Sequence, residues 1–546
     1  MKRIAVSLCL LVAIAGCSKA QTGTTTLANG RVNAFTVPHV LRYATAEDIN
    51  TLNPLLGQQT TLGLMSSLTA AFLIKWDAQN KPYPELATEV PTQANGGVSK
   101  DGLTITYHLR KGLKWSDGQP LTADDVVWTT EHAVLNPANN VVSRAGWDRI
   151  TKIGEPNKYT VVFHLSQPYS PFIVTFFSSA AANPSILPKH LLAKYPNINH
   201  VPFNSLPVGA GPFKYKEWSR SQRVVMVPNP YYFRGQPKLK EIDFEIIPNR
   251  DTILTQLQAH ELDLWYPVPG NYYAKAKALT AYTAIRQPAY YFNHLDFNVT
   301  RPRVKDLAVR RALEMAIDRK TIIEKISHGV GILQEGIAPK NAPYYDPSIK
   351  LAPFDIARAN ALLDAAGWKR GVDGIREKSG VKLNLDFATA TGTPDFDSQI
   401  ELIRSWWKQI GVSISVRHYP ANLLFSPFNE GGIIYGGKWD VVAFAWGDDP
   451  IGDFSYEYAC DQIPPNGQND LRWCDPAANK AMHDLYGHYD QAQRNADDRI
   501  VFEQLAKQVP TIVMSGREDI FIVNKDLKNF HPNALTPFDN MMNVDI

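Results

Sequence analysis

The chain has 546 residues, of which 44% are hydrophobic and 20% charged, a composition typical of a globular protein and far too apolar for a disordered one. Its 56 basic and 53 acidic residues leave a formal net charge of +3, which gives no strong positive field to attract nucleic acid. This length favours several domain-sized units or one large chain folded into two lobes.

The N-terminus resembles an export signal. Lys2 and Arg3 precede an apolar run over 4–16, about 13 residues, which is shorter than the roughly 20 residues of a membrane-spanning helix. We therefore predict a signal peptide over 1–16. The run ends in Ile-Ala-Gly before Cys17, as in a bacterial lipobox, so we predict that Cys17 is lipidated. The alternative is an ordinary signal peptide with a chance cysteine. The polar, Ser/Thr-rich residues 17–34 then predict a flexible tether.

The cysteines also indicate export. Cys9 leaves with the signal peptide and Cys17 carries the lipid, so only Cys460 and Cys474 remain. They bound a segment of 15 residues that contains prolines and a glycine. In an oxidising compartment we expect a disulfide between them, with two buried free thiols as the alternative. Neither belongs to a CxxC pair, so a zinc ribbon or a thioredoxin-type site has no support. The predicted location is the periplasm or cell surface, at a membrane that holds the lipid.

The first half of the body alternates strands and helices. Alternating apolar and polar residues predict strands over 103–109, 159–165 and 242–246. Helix-start patterns follow the first and third of these strands, at Thr122 and near Asp251.

The second half continues this alternation. Apolar residues at helical spacing predict helices over 309–317 and 400–410, and Gly411 can end the second in a left-handed turn. A strand over 412–416 follows. The chain is therefore α/β, with no heptads and no repeat of 20–50 residues.

Enzyme motifs are absent from the sequence. It contains no GxSxG elbow, no GxxxxGK[ST] phosphate loop and no HExxH. The glycine-rich segment 208–212 includes Pro212, which has no amide donor, so we do not interpret it as a phosphate site. His260, His294 and His418 are interpreted as surface or core residues rather than metal ligands. We expect no catalytic residue, no metal and no cofactor.

One segment carries a family resemblance. LRKGLKWSDGQPLTADDVV at 109–127 closely resembles a signature of bacterial extracellular solute-binding proteins, family 5, the oligopeptide-, dipeptide- and nickel-binding group that serves ABC importers. Further motifs follow in the family's order: GAGPF (209–213), NPYY (229–232), ELD (261–263), FN (292–293), VRRAL (309–313), AID (316–318), AAGW (365–368), QIG (409–411) and WDVV (439–442). The resemblance covers essentially the whole mature chain.

The resemblance implies an α/β, two-lobed periplasmic-binding-protein-like fold. This is the large type II class with an extra subdomain, with mixed sheets and a hinge between the lobes. Lobe I would span 35–287, including the extra subdomain at roughly 76–182, and the chain would return to it over 513–546. Lobe II would span 288–512.

The implied function is that of the extracytoplasmic substrate-binding component of an ABC importer. The chain would capture oligo- or dipeptide-like solutes between the lobes and deliver them unaltered to the permease. It would act as a monomer, without nucleic acid. Nickel chelates, oligosaccharides and opine-like solutes are alternatives within the family, and a nickel complex would need a cleft histidine that no motif places. A remote alternative is an exported hydrolase that uses Asp448, Asp449, Asp453 and Glu457.

The resemblance also implies ligand-binding residues. Peptide-binding members have a strand that ends in Trp, here Trp446, and an Asp three positions later, here Asp449, that pairs with the peptide's amine. The family then usually has Tyr and an Asp-Pro pair, whereas this chain continues Pro-Ile-Gly-Asp453. Asp448 could therefore serve instead of Asp449, and a solvated acidic turn is a further alternative. A Trp at such a strand end is more often a core residue, which is the alternative for Trp446.

Two more residues are candidates on the segment that enters lobe II. Tyr291 and Asn293 begin this part of the resemblance, and their strand could offer backbone groups to an extended peptide. Some members carry an Arg three residues before the strand Trp, where it clamps a peptide's carboxylate. This chain has Ala443 there, so a carboxylate site of that type is not expected.

Overall fold

The computed structural model describes residues 31–57, 59–180, 184–391, 394–447 and 450–546. The predicted signal peptide, Cys17 and most of the predicted tether lie outside this part. The last tether residues are anchored, because the backbone N–H groups of Val32 and Asn33 donate to the carboxylate of Asp526 at 2.6 and 2.9 Å.

The body contains eighteen described strands and fifteen described α-helices. The strands are β1 (Val40–Thr45), β2 (Ile74–Trp76), β3 (Pro82–Pro84), β4 (Thr104–His108), β5 (Ile150–Asn157), β6 (Thr160–Leu165), β7 (Phe213–Ser219), β8 (Arg223–Pro228), β9 (Glu241–Ile246), β10 (Leu264–Trp265), β11 (Tyr282–Phe297), β12 (Lys369–Arg370), β13 (Arg376–Lys378), β14 (Val381–Lys382), β15 (Asn384–Ala390), β16 (Ser413–Tyr419), β17 (Val441–Gly447) and β18 (Thr511–Asn524).

The α-helices are α1 (Thr60–Thr69), α2 (Ala123–Trp128), α3 (Phe172–Thr175), α4 (Lys189–Leu192), α5 (Arg250–Gln258), α6 (Gly270–Lys277), α7 (Leu307–Met315), α8 (Arg319–Thr321), α9 (Ile356–Ala365), α10 (Pro394–Gln409), α11 (Ala421–Leu424), α12 (Ile433–Gly436), α13 (Ser455–Tyr458), α14 (Pro476–Asp484) and α15 (Gln491–Gln508). Two π-helical segments continue α2 and α8, at Thr129–Val134 and Ile322–Ile326. Short 3₁₀ helices lie at Trp147–Arg149, Pro202–Ser205, Phe428–Glu430, Cys460–Gln462, Leu485–Gly487 and Asp539–Asn543. None of the described helices is both long and apolar enough to span a bilayer.

A ten-stranded mixed sheet runs through the molecule in the order β16-β15-β17-β11-β18-β10-β1-β9-β8-β7. At one end β15 is parallel to β16 and β17, and at the other β1 is parallel to β9 and β10. Between these groups lie the two longest strands, β11 and β18, which pair antiparallel. Each group covers its own apolar core, the first around residues such as Leu313 and Trp407 and the second around residues such as Leu41 and Phe244.

The pairing of β11 with β18 is interrupted at its middle. Pro288 pairs with Glu518 and Phe292 with Gly516, so three residues of β11 lie opposite Arg517 alone. Such a bulge bends the strand and re-aims its side chains. Here it lies between the two strand groups.

A separate three-stranded sheet has the strand order β4-β6-β5, and α2 packs against its strands β5 and β6. The predicted strands and the predicted helix start are confirmed here. The backbone N–H of Thr122 donates to the Asp125 carboxylate at 3.0 Å, completing a capping box at the start of α2.

The glycine-rich segment 208–212 serves packing. A Cβ atom at Gly209 would lie 1.8 Å from the carbonyl oxygen of Thr69, so only glycine allows this close backbone approach.

The later predicted elements are confirmed as α7, α10 and β16. Gly411 has φ +77°, the left-handed turn expected after α10. The disulfide between Cys460 and Cys474 is present, with 4.8 Å between the two α-carbons.

Candidate ligand-binding cleft

A cavity of about 1360 Å³ lies between two stretches of the chain. Most of its lining comes from 143–149, just before β5, from 167–184, around α3, and from 447–488, between β17 and α15. Tyr291 of β11 and Leu535 complete it. Pockets for drug-sized molecules measure about 300–1,000 Å³, so this cavity has room for a larger solute.

The charges on the cavity wall are unequal. Arg149 is the one Lys or Arg among the described lining residues. The described acidic residues of the lining are Asp148, Asp453, Asp461 and Asp484. A cationic group of a solute could therefore pair with any of several carboxylates, whereas an anionic group could pair with a single arginine.

Arg149 lies against two tyrosine rings. Its guanidinium carbon lies 4.6 Å from the ring centroid of Tyr169 and 4.5 Å from that of Tyr486. These are short cation–π distances. Burial raises the pKa of Tyr169, which keeps its phenol neutral. Nη1 of Arg149 is buried and has no hydrogen-bond partner in the described part of the chain.

Asp453 belongs to a polar chain beside this arginine. Ser455 donates to its Oδ1 through the backbone N–H at 3.1 Å and through the hydroxyl at 2.5 Å. The Ser455 hydroxyl lies 2.5 Å from that of Tyr486. Burial raises the pKa of Asp453, and the hydrogen bonds from Ser455 and the charge of Arg149 oppose that rise.

The two stretches meet along one side of the cavity. Ser170 donates its hydroxyl to the carbonyl of Leu485 at 2.7 Å and its backbone N–H to that of Tyr486 at 2.9 Å. The hydroxyl of Tyr489 accepts from the backbone N–H of Tyr169 and donates to the carbonyl of Gly102, both at 3.0 Å. These contacts close this side of the cleft.

Of the sequence-predicted residues, Tyr291 lines the cavity. It pairs with Gly447 across β11 and β17, and its side chain is 44% exposed. The guanidinium carbon of Arg517 lies 5.0 Å from its ring centroid. Asn293 is on the same strand but donates to the hydroxyl of Ser515 at 3.1 Å, away from the described lining.

Trp446 is half-buried at the end of β17, with ring contacts to Phe444 at 5.5 Å and to Tyr456 at 6.4 Å. Tyr456 lines the cavity, whereas Trp446 packs behind it. Asp448 and Asp449 lie outside the described residues, and Gly447 and Pro450 on either side of them line the cavity.

Comparison with known proteins identifies the family. The family model for bacterial extracellular solute-binding proteins, family 5, matches residues 81–462, well over half of the chain. The chain belongs to this family. The resemblance carried by its motifs is thereby confirmed.

The chain is similar in sequence to several known bacterial proteins. Protein XP55 of Streptomyces lividans is 31% identical over 372 residues, a match that spans 68% of this chain and 65% of that protein. The oligopeptide-binding protein AppA of Bacillus subtilis is 26% identical over 453 residues, covering 82% of this chain and 80% of AppA.

Solved structures confirm the two-lobed solute-binding fold. The structure of Bacillus subtilis AppA with a nonapeptide has a TM-score of 0.73 and 23% identity, covering 92% of this chain and 98% of AppA. That of Campylobacter jejuni NikZ with Ni(L-His) has a TM-score of 0.75 and 23% identity, covering 94% of this chain and all of NikZ.

Sequence reasoning missed several cleft residues of this family member. Tyr486 is more than 300 residues from Arg149 and Tyr169 in the chain, and none of the three belongs to a motif quoted above, so only the fold brings them together. The sequence also placed no histidine in the cleft, whereas His483 and His488 line it.

Both cleft histidines face carboxylates. His488 Nδ1 lies 2.5 Å from Asp497, and His483 Nε2 lies 3.6 Å from Asp461. In the part of the chain that the structure describes, no three His, Cys, Asp or Glu side chains are grouped as a metal site requires.

Proposed function

We propose that this chain is the substrate-binding component of an ABC importer and captures peptides in its cleft. The observation that carries the proposal is the cavity of about 1360 Å³ in a member of this family. The name of the relative AppA, an oligopeptide-binding protein, supports peptides as the solute class.

The chemistry of the cleft suits a peptide. A peptide has an ammonium group, a carboxylate and a row of backbone donors and acceptors. Asp453 and its acidic neighbours offer acceptors to the ammonium group, and Arg149 offers donors to an anion. Binding followed by hinge closure needs no covalent step, so the solute leaves unaltered.

Five residues are proposed to contact the solute: Asp449, Asp448, Trp446, Tyr291 and Asn293. Asp449 pairs with the peptide's amine, and Asp448 is the alternative if the turn has the other register. Tyr291 borders the cavity and Trp446 packs against its wall, which supports their inclusion. For Asn293 the support is its strand, β11, whose backbone passes the cavity at Tyr291.

The boundaries between the two lobes are proposed to lie within β11 and β18, the two long strands that cross from one lobe to the other. Lobe I comprises 35–287, with its extra subdomain at roughly 76–182, together with 513–546, and lobe II comprises 288–512. The bulge of β11 opposite Arg517 and the two separate strand groups support hinge bending there.

The protein is further proposed to be exported and lipid-anchored. A signal peptide over 1–16 is removed, Cys17 carries the lipid, and the monomer docks on its permease at the membrane. The basic start, the short apolar run and the small residues before Cys17 support this proposal.

A nickel chelate is the second candidate solute. The observation that favours it is the presence of His483 and His488 on the cavity wall. What weighs against it is the ligand count, because no three His, Cys, Asp or Glu side chains are grouped as a metal site requires in the described residues.

Native mass spectrometry of protein purified without refolding tests the proposal. We expect additional masses that correspond to a series of small peptides and that disappear on denaturation. Recovery of a metal chelate or a glycan instead, or a protein that never binds any added peptide, would overturn peptide capture. In the same spectra, lipidation would appear as extra mass on a mature protein chain that begins at Cys17.

A further inference from the structure

We propose that Arg149 binds a carboxylate of the captured solute and thereby selects peptides with a free C-terminus. This inference rests on the proposed function and adds the residue that recognises the anionic end of the solute. The position is new relative to the sequence motifs, which place no cation in the cleft.

The distribution of charge leads to Arg149. Among the described lining residues it is the one Lys or Arg, beside four acidic residues. A carboxylate that enters this cavity is repelled by those acids unless it lies close to the guanidinium. Arg also presents a planar set of N–H donors that matches both oxygens of a carboxylate.

The guanidinium is held in place before any solute arrives. Tyr169 and Tyr486 cover it at 4.6 and 4.5 Å, and the two rings are 5.6 Å apart. The backbone is fixed too, because the N–H of Ser166 donates to the Arg149 carbonyl at 2.8 Å. A side chain that is already ordered loses little conformational entropy on binding, which favours affinity.

The hydrogen bonding of the guanidinium is incomplete. Nη1 is buried and has no acceptor among the described residues. A buried donor without a partner destabilises the closed cleft, and a solute oxygen that accepts its hydrogen bond removes this penalty. Tyr169 and Tyr486 come from the two stretches that meet at the cleft, so a solute acceptor on Nη1 would stabilise the contact between these stretches.

The position at which some family members carry a carboxylate-binding arginine has no cation in this chain. Ala443, three residues before Trp446, is a buried alanine on β17. A carboxylate clamp in this protein must therefore come from another element, and the 3₁₀ helix Trp147–Arg149, just before β5, supplies Arg149.

Matched peptides test the inference. Isothermal titration calorimetry compares two mixed-sequence peptide sets, from dipeptides to nonapeptides, that differ only in a free or an amidated C-terminus. Wild type should bind the free acids about ten- to a hundredfold more tightly, as expected for a charged hydrogen bond in a closed site. Arg149→Gln should bind both sets with the affinity that wild type has for the amides.

Two further variants complete the design. Arg149→Lys keeps the charge but loses the paired donors, and it should retain part of the preference. Arg220→Gln is the matched control, because Arg220 stacks on Trp218 at 4.1 Å and is outside the cavity lining. It should preserve the full preference.

The outcomes separate the two proposals. If wild type binds neither peptide set, peptide capture itself is wrong. If wild type binds acids and amides equally, peptide capture stands and the role of Arg149 is wrong, whether or not the variants fold. An equal loss for both sets in Arg149→Gln also overturns carboxylate recognition, since it indicates a purely structural role in closing the cleft.

Discussion

The ring of Tyr291 packs directly against the backbone of Gly447. The two residues pair across β11 and β17, and a Cβ atom built on Gly447 would lie 2.8 Å from Cε1 of the tyrosine. On another side the guanidinium carbon of Arg517 lies 5.0 Å from the ring centroid. The absence of a side chain at position 447 therefore lets the tyrosine lie where it borders the cavity.

Gly447→Ala tests this packing. We expect the new methyl group to displace the exposed ring of Tyr291 and to weaken peptide binding by about 1 kcal/mol, roughly a fivefold rise in Kd, measured by calorimetry. The matched control is the double variant with Tyr291→Ala. If Gly447 acts through the ring, the alanine at 447 has no further effect once the ring is removed. Fully additive losses would contradict this explanation.

Asp449→Ala tests the partner of the peptide's amine. We expect it to reduce the affinity for peptides with a free N-terminus by about a hundredfold or more, because an enclosed ammonium group then lacks its carboxylate. N-acetylated peptides should bind both proteins equally. Asp448→Ala is the control: a loss confined to that variant assigns the role to Asp448, and full binding by both variants excludes this turn.

The disulfide is expected to stabilise the loop that borders the cleft. Its 15-residue loop predicts that replacing Cys460 and Cys474 by serine lowers the free energy of unfolding by about 3 kcal/mol. Urea unfolding measures this change, and wild type under reducing conditions should show the same loss. Because the loop contributes Gln462 and Gln468 to the cavity lining, peptide affinity should fall as well. An unchanged unfolding curve would show that the bridge adds no stability.

Asp519 predicts a specific pH dependence. Burial raises the pKa of this β18 carboxyl from 3.8 to about 6, opposed by the charge of Arg517 and a hydrogen bond with Tyr266. The folded protein therefore favours the protonated form, and this group's contribution to stability is lost as the pH rises from about 4 to above 6. A shift of this size corresponds to about 3 kcal/mol.

Asp519→Asn removes that titration. The free energy of unfolding of the variant, minus that of wild type, should increase by up to about 3 kcal/mol between pH 4 and pH 7 in urea titrations. A difference that does not vary with pH would mean that Asp519 titrates normally in the folded protein.

The sequence predicts the elements well and the cleft only in part. Strand alternation at β4 and β9, helical spacing at α7 and Gly411 after α10 depend on neighbours in the chain, so periodicity reveals them. The Cys460–Cys474 disulfide could be predicted because these are the two cysteines left after the signal peptide and the lipidated Cys17, in a protein predicted to reach an oxidising compartment.

The cleft depends on contacts between distant segments. Arg149 and Tyr486 are 4.5 Å apart in space, guanidinium carbon to ring centroid, but more than 300 residues apart in the chain. Patterns among neighbouring residues in the sequence cannot predict a contact between residues so far apart. The family motifs instead led to Trp446 and its neighbours, where the turn departs from the family pattern.

Hinge closure around an unaltered peptide can be observed directly. Small-angle scattering of the ligand-free protein, before and after addition of a peptide recovered by native mass spectrometry, should show a smaller radius of gyration in the complex. The same peptide should be recovered afterwards with its mass unchanged. Identical dimensions in both samples, or a peptide that returns cleaved or modified, would contradict capture by a closing cleft.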